Sequence, residues 1–195
     1  MARSRDISKV LSSNTTLATD AEVAATYQTK ATTGMVLLNT TSFTTQSTVS
    51  IDNVFSATYD TYLIRGSYVG SVDTGVEIRL RVGGADNAAA NYERQIFDAS
   101  NSSTSFARLT GQTSWPNYSG VTTTYNAVNI FEIHRPFNTS PTLAISLMNT
   151  AGGANDVRAQ NSYFKHTAST SFTGFSLLPN SGTITGSISV LGYNK

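Results

Sequence analysis

The stretch Val76-Glu77-Ile78-Arg79-Leu80-Arg81-Val82 decides the fold class. Apolar residues fall on every second position, with Glu77, Arg79 and Arg81 between them. A period of two belongs to a β-strand, whose successive side chains point to opposite faces. One face of this strand suits a core; the other carries alternating charge and suits water or an interface. Working outward, residues 61–68 read as a second strand, after the turn-like Ala57-Thr58-Tyr59-Asp60. Residues 127–134 set Phe131 and Ile133 on one side and Val128 and Ile130 on the other, the pattern of a strand covered on both faces. Leu143, Ile145 and Leu147 alternate with Ala144, Ser146 and Met148, and residues 172–178 and 183–193 close the chain with two more strands. Weaker strand signals lie at 35–39, 46–54, 92–97, 105–109 and 163–166.

Turn signals separate these runs: Gly83-Gly84, Pro116-Asn117, Arg135-Pro136, Gly152-Gly153 and Pro179-Asn180-Ser181-Gly182. Short strands with no helical pattern between them predict an all-β domain over residues 35–195. An antiparallel β-sandwich of jelly-roll type is expected. Residues 1–34 read differently, as a short extended segment followed by a helix. Thr19-Asp20-Ala21-Glu22 has capping-box spacing, and Val23 and Tyr27 lie four apart on one helical face. A helix over 20–28 is too short to persist alone in water, so it needs a partner surface.

Composition limits the function. Of 195 residues only 13% are charged, about half the usual globular share. Polarity comes from 29 Thr, 25 Ser and 15 Asn, against 13 Lys and Arg and 12 Asp and Glu. Zero Cys excludes disulfides, thiolate metal sites and thiol catalysis. The net charge of +1 offers no electrostatic reason to bind nucleic acid or an anionic membrane. No apolar run approaches the roughly 18 residues of a membrane span, and residues 1–13 lack the apolar stretch of a signal peptide.

Chemistry finds little support. The two His, His134 and His166, sit inside strand-like runs, and no Gly-x-Ser-x-Gly elbow accompanies them. Asp52, Asp60, Asp73 and Glu77 flank turns, where such residues ordinarily serve hydrogen bonding. Asp86-Asn87 beside glycines suits an Asx turn better than a cation loop. No enzyme, cofactor or metal site is expected. The loop-rich stretch 94–125 is the candidate for ligand contact. It holds Arg108, Trp115, Tyr118 and Tyr125, and aromatic rings among amides suit stacking on sugars. The competing reading has Trp115 plugging one end of the sandwich or a subunit interface.

Several stretches resemble a known family. The run Leu17-Ala18-Thr19-Asp20-Ala21-Glu22-Val23-Ala24-Ala25-Thr26-Tyr27-Gln28-Thr29-Lys30 is similar to segments of tail-fibre proteins of tailed bacteriophages. Phe55-Ser56-Ala57-Thr58-Tyr59-Asp60-Thr61-Tyr62-Leu63-Ile64, Ile78-Arg79-Leu80-Arg81 and Gly186-Ser187-Ile188-Ser189-Val190-Leu191-Gly192-Tyr193 resemble small β domains of phage fibres, especially those of cyanophages. The resemblance implies a virion structural protein on the particle exterior: a short tail fibre, homotrimeric, anchored by its N-terminus and presenting a β head to host-surface glycan. It implies that Arg3, Arg5 and Lys9 dock on an acidic virion surface, while Val23, Tyr27, Glu77, Arg79 and Arg81 meet sister chains across a three-fold axis. The rival readings are a capsid decoration or head-fibre protein, a free carbohydrate-binding module and a depolymerase.

Overall fold

The computed structural model describes residues 34–100, 103–124, 126–151 and 157–194. Met35–Lys195 forms one compact unit. The expected helix over 20–28 and the residues Arg3, Arg5, Lys9, Val23 and Tyr27 lie outside the described residues.

The described elements are all strands. In chain order they are β1 (Met35–Gln46), β2 (Val49–Ile51), β3 (Thr61–Gly70), β4 (Thr74–Val82), β5 (Ala85–Asp86), β6 (Tyr92–Ser100) and β7 (Ser103–Gln112), then β8 (Trp115–Val121), β9 (Ala127–His134), β10 (Thr142–Ala151), β11 (Val157–His166), β12 (Gly174–Pro179) and β13 (Ile184–Tyr193). Eight form one sheet, ordered β1-β13-β3-β9-β10-β11-β6-β7; the other runs β2-β12-β4-β5, with β8 also paired to β4. All recorded pairings are antiparallel. The fold is an antiparallel β-sandwich of jelly-roll kind, as the strand pattern predicts.

The alternation in β4 turns Val76, Ile78 and Leu80 into the core. They meet Tyr62 and Ile64 of β3, Phe131 and Ile133 of β9, and Ile188 and Val190 of β13 within one buried cluster. Each such side chain contributes about 1.5–3 kcal/mol by leaving water. Gly83 and Gly84, both at positive φ, close the two-residue hairpin between Val82 and Ala85. Gly186, at φ 157°, lies where a Cβ would run into the Ser67 carbonyl and Tyr68 Cα of β3.

One stretch departs from the sequence expectation. Residues 94–125 are not chiefly loop: they carry β6, β7 and β8. Pro116-Asn117 is strand, not turn. Pro116 is tolerated because β8 is an edge strand with a register break against β4, so its missing N–H costs no ladder bond.

Candidate functional site

Trp115 is fully buried, which corrects its reading as a sugar-stacking residue. β8 carries it across the inner face of the larger sheet, where the indole meets Tyr92 at 5.6 Å, Phe164 at 5.6 Å and Phe131 at 5.8 Å between ring centroids. Its Nε1 donates to the Lys165 carbonyl at 3.1 Å. The indole plugs the sandwich, the competing reading of the sequence. Small residues make the room: Ala144 is the register partner of Phe164, and Ser146 that of Phe131.

Arg94, which the sequence reading passed over as a site residue, holds β8 in place. It is buried on the inner face of β6, and its Nη1 donates to the Pro116 carbonyl at 2.9 Å. Burial lowers its pKa from the ordinary guanidinium value, while Asp98 and Glu77 oppose that shift. The signal was available: Arg94 occupies the same strand parity as Tyr92 and Ile96.

The charges of β4, which the resemblance sets toward sister chains, have partners within their own chain. Arg81 Nε bonds Asp52 at 2.8 Å and its Nη1 bonds Asp86 at 2.5 Å and Ser176 Oγ at 3.0 Å. Hydrogen bonds to Asp52 and then Asp86 raise the Arg81 pKa against the opposing effect of burial. Arg79 Nε donates to the Thr113 carbonyl at 3.0 Å, and Ser114 Oγ donates to Glu77 at 2.5 Å. The smaller sheet thus closes its outer face with ionic and hydroxyl contacts. Asp73 accepts from the Thr123 amide at 3.0 Å, and Asn87 accepts from the Ala89 amide at 3.1 Å as an Asx turn does.

The two histidines also lie in structural surroundings. His166 is enclosed edge-on by Tyr92 and Phe172, with centroids at 4.6 and 4.8 Å. Burial lowers its pKa, partly offset by the Ala168 carbonyl 3.5 Å from Nδ1. His134 lies on the opposite face of the sheet, its Nε2 3.1 Å from Glu132 and its Nδ1 3.2 Å from Thr61 Oγ1.

The outer face of the larger sheet has the opposite character to that of the smaller. Val128 and Ile130 of β9, Leu143, Ile145 and Leu147 of β10, Tyr163 of β11, Phe97 of β6 and Phe106 of β7 are all exposed there. Phe106 is 73% exposed, Tyr163 59% and Leu147 52%. The pairing register makes them one patch. Ile130, Leu147, Asn161, Phe97 and Phe106 lie in a single row across five strands. Phe97 and Phe106 touch at 5.1 Å between centroids. β9 is therefore covered on one face only, not both as its sequence implies. In β10 Leu143, Ile145 and Leu147 point out while the small Ala144 and Ser146 point in. Monomeric soluble proteins rarely expose contiguous apolar surface of this kind without a use for it.

At one end of the patch, Glu93, Gln95, Arg108, Leu143, Tyr163 and Lys165 line a shallow cleft of about 210 Å³. Of the four expected ligand residues the structure places only Arg108 here; Trp115 is in the core, Tyr118 falls within β8, and Tyr125 lies outside the described residues. The sequence offered a signal for the patch in the apolar residues on both parities of residues 127–134.

No family model and no curated protein matches the chain. Among solved structures, the galectin LEC-6 of Caenorhabditis elegans is similar with a TM-score of 0.35 and 12% sequence identity, over 80% of this chain and 96% of that one.

Proposed function

We propose that this protein is a structural component of a tailed-bacteriophage virion, a short tail fibre that works by attachment and assembly instead of catalysis. The observation that carries this reading is the apolar outer face of the larger sheet, a surface suited to contact with another macromolecule on a chain with few charges. The resemblance of residues 17–30, 55–64, 78–81 and 186–193 to phage fibre segments supports a place on the particle exterior. Within 55–64, Tyr62 OH donates to the Ser56 carbonyl at 2.9 Å and accepts from the Ser56 amide at 2.8 Å. That stretch thereby forms a tyrosine-clamped corner at the start of β3. In this reading residues 1–34 fasten the chain to the particle and the sandwich faces outward. Imaging of assembled particles with an antibody against residues 35–195 tests it. Label on the tail is expected. Label on capsid faces or vertices replaces the tail fibre with a decoration protein, and unlabelled particles overturn the virion reading.

A second reading, host-glycan binding, is favoured by the cleft around Tyr163, whose exposed ring stands among the amide of Gln95 and the charged ends of Glu93, Arg108 and Lys165. Titration with host envelope polysaccharide, repeated on Tyr163→Ala, tests it. Loss of binding in the variant is expected, no binding by the parent rejects it, and shortening of the polysaccharide would make the protein a depolymerase.

A further inference from the structure

We infer that the outer face of the larger sheet pairs with the same face of a second copy of this chain, about a two-fold axis running along β11. The inference rests on reading this face as an assembly surface and names its occupant. Three observations select a second copy.

The first is area. Eight large side chains, exposed by between a third and three quarters, leave on the order of 800 Å² of apolar surface, about what each partner contributes to a stable interface. The second is symmetry. A three-fold axis joins two different surfaces head to tail, whereas one continuous apolar face is complementary to itself, the isologous condition of a two-fold pair. The other exposed large apolar residues among those described are Met35 and Leu37 on the edge strand β1, where Leu37 extends the outer row of the same sheet through Leu191 and Leu63, then Val72 between β3 and β4 and Val82 at the end of β4.

The third observation is charge. Glu132, Ile145, Tyr163, Gln95 and Arg108 form one row across β9, β10, β11, β6 and β7. Glu132 and Arg108 stand two strands to either side of Tyr163. A two-fold along β11 therefore sets Glu132 of each copy opposite Arg108 of the other. In the next row the same operation lays Ile130 against Phe106 and Leu147 against Phe97. Packed sheets keep their strands within about 30° of each other, so these rows meet face to face. Tyr163 lies on the axis, so pairing closes the cleft beside it and excludes glycan from a paired copy.

Analytical ultracentrifugation of the purified full-length chain tests the inference. A dimer is expected. Leu147→Lys, at an outward position, should yield a monomer with unchanged circular dichroism. Glu132→Arg and Arg108→Glu should each weaken pairing by about tenfold or more, and the double variant should recover to within about threefold of the parent. The charge exchange keeps the test valid should the lysine variant fail to fold. A monomeric parent overturns the inference; protection of Tyr163 and Phe106 from hydroxyl-radical labelling in that monomer would assign the face to residues 1–33 instead. A trimer, or any oligomer indifferent to the three variants, also overturns it. Pairing is read in solution and virion location on particles. A dimer missing from particles refutes the virion reading alone, and a particle-bound monomer refutes the pairing alone.

Discussion

His166 and Trp115 share one aromatic cluster, and burial acts on them differently. For Trp115 enclosure is favourable, because the indole is largely apolar and its single N–H reaches a carbonyl. For His166 enclosure by Tyr92 and Phe172 penalises the charged imidazolium and lowers the pKa below 6.5. The unfolded chain then takes up a proton that the folded chain refuses as pH falls below about 6.5, so unfolding is favoured on the acid side. Stability from this residue is complete above that pH and declines as pH drops toward the lowered folded value. Urea midpoints measured from about pH 8 down to about pH 5.5 should fall in the lower half of that range. His166→Phe should flatten the decline, and an unchanged profile in the variant would refute this origin. Composition showed that Trp115 is unique but not where it goes. Aromatics beside Pro, Asn and Tyr read alike whether they rim a loop or plug a core, since nothing local reports what lies across the sheet.

Among the elements, β4 shows how a half-polar strand is secured on both faces. Its inner residues join the core, and on its outer face Arg81 ties the turn residue Asp52 after β2, Asp86 of β5 and Ser176 of β12 to one guanidinium. Ser176 also donates to Asp86 at 2.7 Å and meets Ser50 Oγ of β2 at 3.1 Å. Arg81→Ala removes these charge-assisted bonds, leaving Asp52 without its cation and Asp86 with only Arg79, 3.6 Å away. A loss of about 2–3 kcal/mol in urea unfolding is expected, with Arg81→Lys restoring only part because an ammonium lacks the planar fork. Strand β4 was legible because its period is unbroken. Strand β8 was not, because Pro116, Asn117 and Gly120 carry turn chemistry that an irregular edge strand tolerates. Local propensity and tertiary placement disagree there, and placement prevails through the burial of Trp115 and the Arg94 bond to Pro116.

At the scale of the whole molecule the two sheets present unlike exteriors, one closed by ion pairs and hydroxyls and the other open and apolar. Pairing through the open face couples folding to association, so the melting temperature should rise with protein concentration. Scanning calorimetry over a hundredfold concentration range checks this, and Leu147→Lys should abolish the dependence. By itself the sequence determined that the domain from residue 35 onward is all-β, where most of its strands lie, and that its polarity is neutral. Those properties follow from side-chain period and composition, which are local. Only the tertiary structure decided that Trp115 turns inward while Leu143, Ile145 and Leu147 turn outward. Alternation makes the two faces of a strand differ, but which face meets the core depends on the partner sheet, and that partner comes from residues far away in the chain.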